Sequence, residues 1–173
     1  MLEPQPGDLL LTRGAGWASA MIRLGAAFRD EPNMVNHVAV VHHTDAQGTL
    51  WCIEGRPGGV GWRDAHDYLG SRYTVANVAQ PKSAGQREAV CEVAHALLGT
   101  PYDWQAIVKD CGNAFGLAKA WSLKWAHGTV PAHVVCSSLA AYGYSTAKLL
   151  CPSGDREVSP ADWLKLWTER GWS

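Results

Sequence analysis

The sequence predicts a single α+β domain in which a small antiparallel sheet packs against helices. Short apolar and β-branched runs separated by turn residues dominate the chain up to about residue 80. Helical periodicity and helix caps dominate the part that follows. The chain of 173 residues has no internal repeat and no low-complexity linker, so we expect one domain over residues 1–173.

The predicted strands lie at residues 9–12, 37–43, 49–54 and 73–79. The segment Asp45-Ala46-Gln47-Gly48 has the composition of a turn, so the second and third strands should form an antiparallel hairpin. The glycine-rich stretch at residues 56–61 predicts a loop, and residues 63–69 predict a short helix.

The spacing of apolar residues predicts helices over residues 16–28, 83–98, 103–125, 136–148 and 159–167. The second of these has the clearest limits, because Ser83 and Gln86 form a capping box and Gly99 follows the last periodic residue. Ser159 and Pro160 have the composition of a cap and a first helical residue.

The composition argues against nucleic acid as a partner and against a membrane-spanning segment. The net charge is −1 and no run of Lys and Arg occurs, so nucleic acid is not an expected partner. The N-terminus has no signal-peptide pattern, and no apolar run approaches about 18 residues. We therefore expect a protein that is cytoplasmic as synthesised, with any export by another route. Nine tryptophans leave contact with a membrane surface open.

The cysteines and histidines predict neither a disulfide framework nor a metal site. The five cysteines have irregular spacing and no CxxC pair, so reduced thiols are the simplest expectation. The seven histidines include no pair at HxxxH or HExxH spacing. No metal and no other cofactor is therefore expected.

Cys136 has the setting of a nucleophile. It follows the apolar pair Val134-Val135 and precedes a segment that can begin a helix. A thiol in the first turn of a helix lies at the positive end of the helix dipole, which favours the reactive thiolate. A buried structural thiol is the alternative. The other cysteines, which lack this setting, are Cys52, Cys91, Cys111 and Cys151.

His37 is the candidate base and Glu54 the group that orients it. His37 begins an apolar strand, which can hold the imidazole rigidly. If the hairpin is symmetric about the Ala46–Gln47 bond, Ala39 pairs with Glu54 and His37 lies diagonal to Glu54 on one face. A slip of one residue would break this arrangement. A structural histidine and a solvated strand end are the alternatives.

Two other histidines compete with His37 for the role of base. His43 would share a face with His37, but it is about 20 Å away along the strand at the usual rise. His133 would lie about 10 Å from Cys136 in an extended segment, which is too far for direct contact.

Five short motifs carry a resemblance to a known family. They are, in order, Pro6-Gly7-Asp8-Leu9-Leu10-Leu11, Asn36-His37-Val38-Ala39-Val40-Val41, Ile53-Glu54-Gly55, Gly99-Thr100-Pro101-Tyr102-Asp103 and Val134-Val135-Cys136-Ser137-Ser138. The chain resembles the circularly permuted NlpC-like papain-fold enzymes, relatives of the lecithin:retinol acyltransferase-like proteins, in which the histidine precedes the cysteine. The resemblance extends from Pro6 to about Lys148.

The resemblance implies a permuted papain-like fold and a thiol hydrolase or acyl transferase, with a small peptide or acyl compound as substrate. It assigns His37 as base, Glu54 as third polar residue and Cys136 as nucleophile. Many bacterial members cleave peptides, including those of peptidoglycan, so a bacterial or phage peptidase or amidase is the expected class. Tyr102 and Asp103 match a motif near the family's site.

Three further points bear on the substrate. Trp62 lies in a segment expected to form loops, where substrate choice resides, and it joins Tyr102 and Asp103 as a candidate substrate contact. Ser138 stands where many members of the family carry Glu or Thr. The segment from Tyr102 to Cys136 is long and rich in tryptophan. A lipid-directed acyltransferase or thioesterase with the same residues, and a catalytically inactive binding module, remain alternatives.

Overall fold

A computed structural model describes residues 3–13, 34–68, 74–78, 80, 82–103, 134–152 and 158–171. Its strands are Leu9–Thr12 (β1), His37–Thr44 (β2), Leu50–Arg56 (β3), Gly59–Asp64 (β4) and Thr74–Val78 (β5). Its helices are Ala84–Ala96 (α1), Cys136–Thr146 (α2) and Pro160–Arg170 (α3). The strands form one antiparallel sheet in the order β4-β3-β2-β1-β5, and the helices pack against it. The α+β prediction is confirmed.

The predicted hairpin of β2 and β3 forms, but its register changes along its length. Val40 lies opposite Ile53, which is the register expected from a turn centred between Ala46 and Gln47. Nearer the turn, Thr44 lies opposite Leu50, so the turn itself is centred on Gln47. A bulge at position 42 absorbs the extra residue.

The prediction of a loop at residues 56–61 is wrong. Pro57 and Gly58 form a two-residue turn, and the chain continues as β4, paired with β3 along its whole length. A Cβ on Gly59 would stand 2.9 Å from the carbonyl oxygen of Thr100. The segment around Thr100, called the Thr100 loop below, can therefore approach the edge of the sheet this closely only where the strand has a glycine. The three glycines concealed the alternation of Val60 and Trp62 that marks a strand.

The short helix expected at residues 63–69 is smaller than predicted. Its first two residues belong to β4, and a 3-10 turn follows at Ala65–Asp67. The Asp64 side chain begins this turn by accepting a hydrogen bond from the His66 N–H at 2.9 Å. Tyr68 ends it, and its N–H donates to the Ala65 carbonyl at 2.9 Å.

The predictions of helices at residues 83–98, 136–148 and 159–167 are confirmed. The capping box of Ser83 and Gln86 is present at the start of α1, and Gly99 follows its end with φ of 81°. Helix α2 ends two residues before its predicted end. Helix α3 begins one residue later than predicted, with Ser159 as its cap, and ends three residues later. The helices predicted at residues 16–28 and 103–125 lie outside the described residues, except for Asp103.

The two faces of the sheet bury different apolar clusters. The larger cluster joins the sheet to the helices and includes Leu11, Val40, Ile53, Leu139 and Trp163. Each fully buried aliphatic side chain there contributes about 1.5–3 kcal/mol to folding. The smaller cluster covers the opposite face and contains Leu10, Ala39, Val41, Leu50, Cys52 and Ala65, with Tyr68 against it.

A buried ionic network holds the start of β1 against α1. The Asp8 carboxylate is 1% exposed and accepts hydrogen bonds from Lys82 Nζ and the Arg87 guanidinium, both at 2.9 Å. The Tyr144 hydroxyl donates to the Gly7 carbonyl at 3.0 Å, which adds α2 to the same junction. The Pro6-Gly7-Asp8 motif therefore has a structural role. Within the described ranges, no helix is long and apolar enough to cross a membrane.

Candidate active site

Cys136 is the first residue of α2 and is 3% exposed. The chain reaches it in extended conformation through Val135, whose ψ is 166°. Ser138 Oγ accepts a hydrogen bond from the Val135 N–H at 3.0 Å, which is one half of a capping box. Ser138 therefore fixes the point at which the helix begins.

His37 lies between Glu54 and Cys136. Its Nε2 is 2.7 Å from Glu54 Oε2, and its side chain is 17% exposed. The Cys136 side chain also interacts with the imidazole, and its negative charge favours the protonated ring. Since Nε2 is occupied by the carboxylate, Nδ1 is the ring nitrogen left to meet the thiol. The three residues selected from sequence are thus brought together, with His37 between Cys136 and Glu54.

The bulge at His42 makes this arrangement possible. Near the turn, Thr44 pairs with Leu50. If this register continued without a bulge, Val40 would lie opposite Glu54, and His37 and Glu54 would then point to opposite faces of the sheet. The observed register places Val40 opposite Ile53, so His37 and Glu54 share a face. The contact of 2.7 Å between their side chains follows from this register.

The Glu54 carboxylate is buried and well supplied with donors. It is 2% exposed, and the Tyr68 hydroxyl donates to the same Oε2 at 2.7 Å. Arg56 places a guanidinium nitrogen 3.6 Å from Oε1. Burial on its own would raise the pKa of Glu54, but the hydrogen bond and charge of His37, with Tyr68 and Arg56, lower it overall. Glu54 is therefore ionised at neutral pH.

The surroundings of His37 favour its charged form. Burial acts to lower the pKa of His37, but the Cys136 thiolate and the Glu54 carboxylate outweigh it and raise the pKa to about 10. The imidazole is therefore protonated at neutral pH when it faces the thiolate. A thiolate–imidazolium pair with an aligned carboxylate is the charge arrangement that a cysteine nucleophile requires.

Gly55 allows the start of α2 to contact β3 backbone to backbone. A Cβ on Gly55 would stand 3.2 Å from the Cys136 nitrogen and 3.3 Å from the Val135 carbonyl carbon. This contact fixes Cys136 at the end of the strand that carries Glu54. The Glu54-Gly55 pair therefore provides both the carboxylate that contacts His37 and the backbone against which Cys136 packs.

Tyr102 and Asp103 lie beside the segment that leads to Cys136. Tyr102 forms an isolated parallel bridge with Val134, and the Asp103 N–H donates to the Val134 carbonyl at 3.0 Å. The preceding Thr100 carbonyl accepts a hydrogen bond from the Val60 N–H at 2.9 Å. The loop thus connects the sheet edge with the residues before Cys136, and a role in substrate contact stays a prediction.

The structure places Trp62 in a histidine cluster. The indole lies 4.9 Å from the His42 ring, 5.4 Å from the His43 ring and 6.0 Å from the His95 ring, measured between ring centroids. None of these three ring contacts involves His37, so substrate contact by Trp62 stays a prediction as well.

Sequence reasoning missed Tyr68 and Arg56, the additional partners of Glu54. Both fell in segments whose structure was predicted incorrectly, a loop for Arg56 and a helix for Tyr68. The one available signal was Glu54 itself, since a carboxylate in an apolar strand needs donors to offset the cost of its burial.

The other described cysteines lack a comparable setting. Burial raises the pKa of Cys52 well above its usual range and raises that of Cys91 to about 11. Burial also raises the pKa of Cys151. Cys111 lies outside the described residues. Among the residues that are described, no group of three or more His, Cys, Asp or Glu side chains is arranged to hold a metal ion.

A scan of the sequence against models of protein families finds no match, and a search among curated proteins finds no significant one.

Proposed function

We propose that this chain is a thiol hydrolase of the circularly permuted, NlpC-like papain type, and that it cleaves amide bonds in peptides such as those of peptidoglycan. The observation that supports this most strongly is the position of the His37 ring. Its Nε2 lies 2.7 Å from Glu54 Oε2, and Cys136, the first residue of a helix, helps to raise the pKa of the imidazole. The order of His37, Glu54 and Cys136 along the chain matches the permuted arrangement.

In the acylation step, the Cys136 thiolate attacks the carbonyl carbon of the scissile amide and forms a tetrahedral intermediate. The backbone N–H of Cys136 lies in the first turn of α2, where amide hydrogens have no acceptor within the helix. It is a donor for the developing oxyanion, and the helix dipole favours the same negative charge.

The His37 imidazolium then transfers its proton to the amide nitrogen, the C–N bond breaks, and the amine leaves. The acyl group remains on the sulfur of Cys136 as a thioester. Neutral His37 next removes a proton from water, whose oxygen attacks the thioester. Release of the acid restores the thiolate and the imidazolium.

Glu54 keeps the imidazole in the orientation that serves both steps. Because the carboxylate accepts from Nε2, the ring must present Nδ1 to the thiol and the leaving group. The negative charge also stabilises the imidazolium from which the proton is transferred.

Cys136→Ala and Cys91→Ala test the proposal as a matched pair. Cys91 is a buried thiol in α1 whose sulfur contacts backbone carbonyls of β2, outside the set formed by His37, Glu54 and Cys136. The variants would be assayed on peptidoglycan fragments, peptides and acyl esters, with a thioester adduct sought by mass spectrometry. We expect Cys136→Ala to abolish turnover and Cys91→Ala to retain it. Near-normal turnover by Cys136→Ala would exclude Cys136 as nucleophile.

The choice of substrates also separates the alternatives. Preference for acyl esters together with binding to liposomes would identify a lipid-directed acyltransferase or thioesterase. Equal and slow alkylation of all cysteines by limiting iodoacetamide, with no turnover, would identify a binding module.

A further inference from the structure

We propose that Tyr68 is a positioning residue of this site, and that its hydroxyl holds the Glu54 carboxylate in the orientation that aligns His37. The role as written rests on the proposed function, but its test needs only the reactivity of Cys136.

The Tyr68 hydroxyl and His37 Nε2 share one oxygen of Glu54. Each lies 2.7 Å from Oε2, a distance typical of hydrogen bonds in which one partner is charged. Two donors converging on one carboxylate oxygen fix the direction in which that oxygen points. The orientation of the imidazole therefore depends on the position of the phenol.

The phenol is itself held by the fold. Tyr68 ends the 3-10 turn through the hydrogen bond from its N–H to Ala65, and its ring packs against the smaller core cluster. The Arg63 guanidinium lies 5.9 Å from the centre of the same ring. The His37 and Tyr68 rings are 6.2 Å apart between centroids, so the hydroxyl reaches Glu54 from beside the imidazole.

Tyr68 remains a hydrogen-bond donor throughout the working pH range. Burial of the phenol and the neighbouring Glu54 charge raise the pKa of Tyr68 well above its usual value. Because the neutral phenol is favoured, Oε2 accepts from Tyr68 at any pH at which Glu54 is ionised.

Arg56 explains why loss of the hydroxyl would disturb His37. Its guanidinium lies 3.6 Å from Oε1, beyond good hydrogen-bonding distance, and its side chain is 41% exposed. Without the phenolic hydroxyl, rotation of the carboxylate toward Arg56 would compete with the contact to His37. Tyr68 thus keeps Glu54 bound to the imidazole instead of the guanidinium.

Tyr68→Phe and Tyr144→Phe provide a matched comparison. Both changes remove a phenolic hydroxyl, but that of Tyr144 donates to the Gly7 carbonyl and not to Glu54. The rate of Cys136 alkylation by iodoacetamide would be measured from pH 4 to 9 by mass spectrometry of the labelled peptide. Circular dichroism and thermal melting would show that each variant is folded.

We expect Tyr68→Phe to slow alkylation about 10- to 100-fold on the acid side and to move the acid limb of the profile to higher pH. The shift follows because an imidazolium that Glu54 no longer aligns stabilises the Cys136 thiolate less, so the thiol loses its proton only at higher pH. Tyr144→Phe should leave the profile in place. An unchanged profile in Tyr68→Phe, or an equal shift in Tyr144→Phe, would overturn the proposal.

Addition of Glu54→Gln provides a second test. Tyr68→Phe should have no further effect on alkylation in that background, because the carboxylate that it positions is gone. If Tyr68→Phe alone does not fold, recovery of folding in the double variant supports the bond. A double variant that is also unfolded would make Tyr68 a packing residue only. Failure to find any substrate would count against the proposed hydrolase and leave these measurements valid.

Discussion

Gly55 and Cys136 contact each other through their backbones: a Cβ on Gly55 would stand 3.2 Å from the Cys136 nitrogen and 3.4 Å from its Cα. These are backbone atoms at the start of a packed helix, so they cannot move aside as the end of a flexible side chain can. The contact sets the distance between Cys136 and the strand that carries Glu54.

We expect Gly55→Ala to impair the reaction more than the fold. A methyl group in this contact would displace the start of α2 and with it the thiol, and a misplacement of about 1 Å can cost about 100-fold in rate. The expected loss of turnover, or of the Cys136 alkylation rate, is about 10- to 100-fold. Overpacking would cost about 1–3 kcal/mol of unfolding free energy, measured by urea denaturation.

Gly61→Ala is the control for this change. Gly61 lies in the neighbouring strand β4, and a Cβ there would meet only the end of the Arg56 side chain, at 3.6 Å. Gly61→Ala should therefore retain reactivity. A Gly55→Ala variant as reactive as Gly61→Ala would show that this contact does not position the thiol.

Glu54→Gln should lower both the reactivity of Cys136 and the acid sensitivity of the fold. The amide keeps the size of the side chain but cannot balance the imidazolium charge, so the pKa of His37 falls below its value of about 10. We expect alkylation at neutral pH to slow about 10- to 100-fold. An NMR titration of His37 would measure the change directly.

The effect of Glu54 on stability has a definite sign. The pKa of Glu54 is lowered in the folded state, so its contribution is present above the unfolded pKa near 4.3 and is lost as pH falls through the lower, folded value. The difference in unfolding free energy between wild type and Glu54→Gln should therefore shrink below about pH 4.3. A difference that is constant from pH 7 to pH 3 would contradict the assignment of an ionised, hydrogen-bonded carboxylate.

The bulge at His42 yields a prediction about a deletion. His42 is the extra residue between Val41, which pairs with Cys52, and His43, which pairs with Trp51. Deletion of residue 42 would leave both pairs intact in a regular ladder, with His37 and Glu54 still on one face. We expect this variant to fold and to keep most of its Cys136 reactivity.

A deletion outside the bulge provides the contrast. Removal of Ala39, on the same strand between the bulge and the site, would reverse the face to which His37 points unless the strand slips. Its alkylation rate should therefore fall to that of an unactivated thiol. Equal loss in both deletions would indicate that the bulge shapes the strand in a way that register alone does not explain.

The three central site residues could be selected from sequence because their settings are local. An apolar strand that opens with His37, a carboxylate inside a strand at Glu54 and a thiol at a helix start at Cys136 are visible in short windows. The register that joins them was inferred from a symmetric turn, and the turn is in fact centred one residue later. The bulge corrects the difference, and no pattern in the sequence identifies it.

The features that sequence reasoning missed depend on contacts between distant segments. Strand β4 is recognisable only from its pairing with β3. Its glycines look like loop residues in the sequence, but Gly59 is present because the Thr100 loop approaches the strand closely. Tyr68 meets Glu54 across a 3-10 turn, a connection without periodicity. Such contacts follow from the assembled sheet, so composition and spacing alone do not predict them.

Asp8→Asn should destabilise the fold strongly and leave the chemistry of the site unchanged. The carboxylate pairs with Lys82, whose side chain is 0% exposed, and with Arg87 at 23% exposure. Removal of one partner from a buried pair leaves an uncompensated charge, so the expected loss of unfolding free energy is about 3–5 kcal/mol. Asp67→Asn is the control, since its pair with Arg63 is exposed and should contribute about 0–1 kcal/mol.

Urea denaturation would measure both variants, and Cys136 alkylation under folded conditions should match wild type in each. A loss below about 1 kcal/mol for Asp8→Asn would mean that Lys82 gives up its charge without cost, and that the motif at the start of β1 does not anchor the fold.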